Sequence, residues 1–80
     1  MYIVKKSGRK QTFNKAKIVR GCIRAGAEKK KATAIAGNVS KKVVEGMSTR
    51  KIGEMVFAEL KRKDKKAAAH YYSYFKKGWK

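Results

Sequence analysis

Two short runs near the N-terminus combine apolar and polar residues. Residues 2–6 are an aromatic and β-branched stretch followed by two lysines, Ser7 and Gly8 interrupt the pattern, and a second run follows in residues 10–13. Short runs with β-branched and aromatic residues are typical of strands, and a glycine-containing tip between two such runs favours a tight turn. The pattern therefore predicts a β-hairpin at the start of the chain.

After the hairpin, the apolar residues recur with the spacing of helices. Asn14 is a favourable N-cap, so a first helix is predicted from about Lys15 to Ala25, ending at Gly26. A charged stretch, residues 28–31, is expected to be a solvated connection. A second helix is predicted to begin at Ala32 and to end at Gly46. Its apolar positions are Ile35, Ala36, Val39, Val43 and Val44.

Two more helices are predicted in the second half of the chain. Ser48 and Thr49 are expected to cap a third helix, and the charged residues 61–66 end it or form a turn. A last helix is predicted from Ala67 to about Lys77, with Tyr72, Phe75 and Trp79 following helical spacing into the core. Short amphipathic helices bury their stripes only against one another. The predicted fold class is α+β, a small four-helix bundle capped by an N-terminal β-hairpin.

The composition of the chain excludes several classes of protein. The chain has 80 residues, enough for one small domain over residues 1–80, and its 23 Lys+Arg against 5 Asp+Glu give a net charge of +18. An apolar content of 42% is too high for a disordered basic tail. One cysteine and one histidine exclude an internal disulfide and a four-ligand zinc site. With no long apolar run, we expect a cytoplasmic location and no membrane partner.

The sequence offers few side chains that could serve in catalysis. Glu54 and Glu59, the closest pair of acidic residues, are five positions apart and do not share a helix face. His70 is expected to be a partly exposed helical residue, and Cys22 a buried, inert thiol. We therefore do not expect an enzyme.

Basic residues cluster around the hairpin turn and the start of the first helix. They are Lys5, Lys6, Arg9, Lys10, Lys15 and Lys17. The N-terminus of the third helix, at Thr49, also favours an anion. A polyphosphate cradle is one interpretation, and a solvated basic surface is the other; charge alone does not separate them.

The order of these residues resembles the ATP-cone family. Residues 2–18 are similar to its opening, a hairpin of the form Val-x-Lys-Arg-x-Gly-x-x-Glu-x-Phe followed by Asp/Asn-x-x-Lys-Ile. Residues 45–52 look like the family's Gly-Ile-Thr-Thr-x-x-Ile segment, and the closing helix rich in alanine and aromatic residues is also similar. The resemblance covers about residues 2–76.

This resemblance implies four helices under a small three-stranded sheet, with a third strand from Met47 and Ser48. It implies a regulatory site for ATP or dATP, with Mg²⁺ as an accompanying ion. Cones of this family regulate ribonucleotide reductases, and they follow a zinc ribbon in a repressor of reductase genes. The implied partners are thus an adenine nucleotide, a ribonucleotide reductase or transcriptional partner, and a second copy of the chain. A catalytic domain and a zinc ribbon are not expected here.

The resemblance also assigns nucleotide-binding residues. Lys5, Lys6, Lys17 and Thr49 would face the phosphates, and Ile3, Val4, Gln11 and Asn14 would hold the adenine and ribose. Lys6, Ser7 and Gln11 stand where the family has Arg, Asp and Glu. Lys6 keeps the charge but loses bidentate geometry, and Gln11 keeps hydrogen bonding without a full negative charge.

Two other functions remain open at this stage. A strongly basic chain can bind nucleic acid through its phosphate backbone without reading sequence, and C-terminal aromatic residues offer stacking surfaces. The aromatic residues concerned are Tyr71, Tyr72, Tyr74, Phe75 and Trp79. A basic module that docks on an acidic protein is the third interpretation.

Overall fold

In a computed structural model, residues 1–5 and 7–76 are described, with side chains through Ser73. Over these residues the chain forms an N-terminal hairpin followed by four helices, which confirms the predicted α+β class. The elements are β1 (Tyr2–Val4), β2 (Lys10–Thr12), α1 (Lys15–Arg24), α2 (Lys29–Ser40), α3 (Thr49–Lys63) and α4 (Lys65–Lys76). No helix within the described ranges combines the length and apolar character required to cross a membrane.

The hairpin is antiparallel, and its register pairs Ile3 with Gln11. Gly8 has a φ of 89°, a left-handed conformation that glycine adopts without a steric penalty, so the tight turn forms where the sequence predicted it.

The expected third strand is reduced to a single parallel bridge between Val4 and Ser48. The Val4 N–H donates to the Met47 carbonyl over 2.9 Å, and the Gly46 N–H donates to the Tyr2 carbonyl over 2.9 Å. The pairing stops there because Ser48 already caps α3, where the chain turns away from the sheet.

The first helix agrees with its prediction to within one residue. The Asn14 side chain accepts a hydrogen bond from the Ala16 N–H over 2.9 Å, as an N-cap does. At the other end Gly26 has a φ of 106°, a left-handed conformation that stops the helix after Arg24.

The bounds predicted for the second helix were wrong at both ends. Helix α2 begins at Lys29, so the lysines assigned to a solvated connection form its first turn. It ends at Ser40, whose hydroxyl donates to the Ala36 carbonyl over 2.8 Å. Val43 and Val44 therefore lie in the following loop, where Val43 is buried and Val44 is 59% exposed.

Of the two residues predicted to cap α3, Ser48 is confirmed and Thr49 was wrong. The Ser48 side chain accepts from the Lys51 N–H over 3.1 Å, so Ser48 is the N-cap and Thr49 is the first helical residue. At the other end, Asp64 separates α3 from α4: its N–H donates to the Leu60 carbonyl, and its carboxylate accepts from the Ala67 N–H over 3.1 Å. The last helix consequently begins at Lys65, two residues earlier than expected.

The core lies between the four helices. Its largest fully buried side chains are Tyr71, Ile35, Leu60, Val39, Val56 and Cys22. The prediction that Tyr72 is a core residue was wrong: Tyr71 is fully buried, whereas Tyr72 is 47% exposed and packs its ring 5.4 Å from that of Phe57. Buried Ala67 and Ala68 share the face of Tyr71, which orients α4. The side chain of Phe75, and Trp79 altogether, lie outside the described residues.

Candidate functional site

A shallow pocket opens between the hairpin and the N-terminal ends of α1 and α3. Its lining residues are Ile3, Gln11, Thr12, Phe13, Asn14, Lys17, Ile18, Thr49 and Ile52. Five of the eight residues predicted for a nucleotide site therefore lie around one pocket: Ile3, Gln11, Asn14, Lys17 and Thr49.

The floor of this pocket is apolar. Ile3 from β1, Ile18 from α1 and Ile52 from α3 are each buried and belong to the core. Gln11 lies directly opposite Ile3 in the hairpin register and adds an amide beside this floor. An apolar surface bordered by a few polar groups is the usual construction of a small-molecule site.

Two helix N-termini meet the pocket from the other side. Asn14 caps α1 and Ser48 caps α3, and the first turn of each helix has no acidic residue. The partial positive charge at these helix ends is therefore not offset locally, and it favours a bound anion. Lys17 adds a full charge from the first turn of α1, and Thr49, only 5% exposed, adds a hydroxyl at the start of α3.

The remaining predicted site residues have other positions. Val4 does not line the pocket; its N–H binds Met47 and ties the hairpin to the loop before α3. Lys5 lies at the hairpin turn, where its N–H donates to the Arg9 carbonyl over 2.8 Å. Lys6 lies outside the described residues. Lys10, which belongs to the basic cluster around the turn and not to the predicted nucleotide site, places its ammonium 5.0 Å from the centre of the Tyr2 ring, in a cation–π contact.

Comparison with known proteins agrees with this geometry. A family model described as ATP cone domain matches residues 1–78. The chain belongs to the ATP cone family. This confirms the resemblance seen in the sequence motifs, and it assigns the chain to nucleotide-binding regulatory domains.

One relative of this ATP cone is the transcriptional repressor NrdR of Kosmotoga olearia. The two are 29% identical over 84 aligned positions, which cover 95% of this chain and 53% of the repressor. The cone therefore spans about half the length of the relative it matches.

Four lining residues of the cone's pocket were not predicted as site residues. Thr12 and Phe13 follow Gln11 directly, and the only sequence signal for them is that they connect the hairpin to the Asn14 cap. Ile18 and Ile52 were recognised as apolar helix positions, but a periodic pattern does not show which end of a buried stripe borders a pocket.

The pocket is small in this structure. Its volume is about 40 Å³, which is room for a few water molecules rather than for a nucleotide. Binding an adenine nucleotide therefore requires the rim to open. Gln11 is only half-buried and Lys17 is exposed, so these two side chains can rotate outward, whereas Phe13 is packed against the core.

The reactive side chains that the sequence singled out lie apart from this pocket. Cys22 is fully buried, as predicted, and burial raises the pKa of its thiol to about 11. Burial, with a smaller contribution from the nearby Cys22, also raises the pKa of Tyr71. His70 is an exposed residue of α4, as predicted, and its Nδ1 donates to the Ala25 carbonyl over 3.1 Å. Among the described residues, no cluster of three or more His, Cys, Asp or Glu side chains is placed to hold a metal ion.

Proposed function

We propose that this ATP cone binds ATP or dATP in the pocket between the hairpin and α3, and that the bound nucleotide regulates a partner protein. The observation that supports this most strongly is the convergence of Lys17 and two helix N-termini on a pocket with an apolar floor. The role is regulatory rather than catalytic, and the location is cytoplasmic.

The phosphates bind at the helix ends. Lys17 and Thr49 contact them together with the free N–H groups at the start of α3, and Mg²⁺ accompanies the phosphate chain. Lys5 and Lys6, from the hairpin turn, complete the positive surface around the outer phosphates.

The adenosine part binds against the hairpin. The adenine ring lies over the apolar floor, where Ile3 is a central residue, and the Gln11 amide pairs with the adenine edge because it offers both a donor and an acceptor. The Asn14 side-chain oxygen already accepts from Ala16, so its NH₂ group is the part that reaches the ribose. Val4 acts through its backbone by holding the hairpin to the loop before α3.

Regulation follows from the position of the hairpin. Two backbone hydrogen bonds join β1 to residues 46–47 just before α3, so a shift of the hairpin on nucleotide binding is passed to the start of that helix. A partner that contacts the hairpin then distinguishes the free from the bound cone. Candidate partners are a ribonucleotide reductase, a transcriptional complex and a second copy of the chain; similarity to a protein named as a transcriptional repressor supports the second.

A matched pair of variants tests the phosphate site. Lys17→Ala and Lys15→Ala each remove one charge from the first turn of α1, but only Lys17 lines the pocket. The Lys15 ammonium instead lies beside α2, 4.0 Å from where a Cβ on Gly37 would be. Because a charge-assisted hydrogen bond contributes about 1.5–3 kcal/mol, we expect Lys17→Ala to weaken ATP binding at least about tenfold.

The control variant should change ATP affinity by less than about twofold, because a single exposed charge outside the site is largely screened. Affinity is measured by calorimetric titration, and far-UV circular dichroism verifies folding. Equal losses in the two variants would show that ATP responds only to the overall charge of the chain.

A further inference from the structure

A second, larger pocket lies between the C-terminal ends of α2 and α3. Its volume is about 540 Å³, and its lining residues are Asn38, Lys41, Lys42, Glu59, Arg62 and Lys63. It shares no lining residue with the first pocket. Thr49 and Arg62 lie near opposite ends of α3, about 20 Å apart along its axis at 1.5 Å per residue, so the two pockets are separate sites.

The rim of this second pocket is basic. Lys41 and Lys42 form the turn that ends α2, where the Lys42 N–H donates to the Val39 carbonyl over 2.9 Å. The adjoining Val43 is buried in the core and anchors this turn. Arg62 and Lys63 face the turn from the last turn of α3, so four cationic side chains border the opening.

The floor of the pocket has a different chemistry. Glu59 is only 9% exposed, and its Oε1 accepts from the Asn38 side-chain amide over 3.2 Å. Its Oε2 lies 3.7 Å from the Arg62 guanidinium. A carboxylate has about four acceptor positions, so Glu59 can accept further hydrogen bonds from a molecule that enters the pocket.

This combination selects the ligand. Cations on the rim attract phosphate groups, whereas a carboxylate on the floor repels phosphate and accepts hydrogen bonds from hydroxyl or amino groups. Inorganic polyphosphate has the first kind of group but not the second. A nucleic acid strand has both, and unlike a mononucleotide it has a phosphate on each side of the nucleoside. This matches the cations on two sides of the opening, Lys41 and Lys42 after α2 and Arg62 and Lys63 at the end of α3.

We propose that this pocket binds a single strand of nucleic acid, with two phosphates on the basic rim and one nucleoside donating hydrogen bonds to Glu59. A single strand is required because a base held in a duplex cannot reach the floor of a concave pocket. This site is independent of the nucleotide site at the hairpin.

The test compares two double variants with the same loss of charge. Lys41→Ala/Lys42→Ala removes two of the four rim cations, whereas Lys29→Ala/Lys30→Ala removes two exposed lysines from the first turn of α2, outside the pocket. Fluorescence anisotropy measures binding of a labelled single-stranded oligonucleotide over a range of salt concentrations.

Removal of Lys41 and Lys42 from the rim should weaken oligonucleotide binding about tenfold or more. It should also reduce the slope of log affinity against log salt by about 1.4, because each phosphate contact on a single strand contributes about 0.7. The Lys29/Lys30 variant should keep the wild-type slope. Equal changes in both variants, in protein shown to be folded by thermal denaturation, would overturn the proposal.

A second comparison distinguishes nucleic acid from a simple phosphate chain. The wild-type protein should bind inorganic polyphosphate of matched charge more weakly than the oligonucleotide, and Glu59→Gln should reduce that difference because the like charge is removed. Equal binding of the two polymers by the wild-type protein would refute the assignment to nucleic acid. ATP titrations of the same variants should give wild-type affinity, since the pockets are separate.

Discussion

Ser48 contributes to the stability of this ATP cone and lies beside its proposed nucleotide site. Its hydroxyl oxygen accepts a hydrogen bond from the Lys51 N–H over 3.1 Å at the start of α3, beside the pocket residue Thr49. Ser48→Ala leaves that N–H without its side-chain acceptor, which costs about 1 kcal/mol for a typical N-cap. In a domain of this size, we expect a fall in Tm of roughly 4–8 °C.

Ser48→Asp separates the structural role from the electrostatic one. Aspartate caps helices as well as serine does and also interacts favourably with the helix dipole, so the Tm should return to the wild-type value or exceed it. The new carboxylate lies beside the proposed phosphate site, so ATP should bind more weakly to Ser48→Asp than to Ser48→Ala.

Thermal unfolding followed by circular dichroism and calorimetric ATP titration give the two readouts. Ser7→Ala, in the exposed hairpin turn, is the control and should change Tm by little. An unchanged Tm in Ser48→Ala would refute the capping role of Ser48. Stronger ATP binding by Ser48→Asp would contradict a phosphate site at this helix end.

Three further predictions concern the core and the helix ends. Leu60 is fully buried, so Leu60→Ala should lower the free energy of unfolding by about 2–5 kcal/mol in urea denaturation; a loss under 1 kcal/mol would contradict its central position. Gly26→Ala should lower the free energy of unfolding by about 1–2 kcal/mol, because φ is 106° at this position. Gly21 lies inside α1, where an added Cβ would make only an ordinary contact with Tyr71, so Gly21→Ala should leave stability unchanged or raise it. Equal changes in Tm for the two variants would refute this distinction. Cys22, with its pKa raised to about 11, should react with a disulfide reagent at pH 8 far more slowly in the folded than in the unfolded protein. The pKa of the Cys22 thiol is higher in the folded than in the unfolded protein. Its contribution to stability is therefore fully present below pH 9 and is lost as the pH rises through about 11.

The elements that the sequence predicted well are those with local signals. The turn at Gly8, the cap at Asn14 and the stop at Gly26 each depend on the conformational preferences of one residue and its immediate neighbours. These residues fix the ends of the hairpin and of α1, so both elements form where the sequence predicted them.

The predictions that were wrong concern a helix end and a buried side chain that depend on tertiary packing. Val43 and Val44 continue the helical period beyond Ser40, so the pattern did not show that α2 ends there. Tyr71 and Tyr72 are neighbours that both fit an apolar stripe, and only the packing of α4 against the other helices buries the first and leaves the second half-exposed.

The two pockets differ in how far the sequence predicts them. Most residues of the hairpin pocket lie in one continuous segment, residues 11–18, which includes three of the residues that the family resemblance implied for a nucleotide site, Gln11, Asn14 and Lys17. The second pocket depends on contact between Asn38 and Glu59, which are 21 positions apart and meet only because α2 packs on α3. No local pattern indicates that contact.

Nucleotide selectivity is the most direct test of the proposed function. Calorimetric titration of the wild-type protein with ATP, dATP and GTP, at low and at moderate salt, separates recognition of the base from attraction to phosphate. We expect ATP and dATP to bind more tightly than GTP at both salt concentrations, because the proposed site recognises adenine through the Gln11 amide and the apolar floor. Equal affinity for the three nucleotides, lost on raising the salt, would contradict an adenine site at the hairpin.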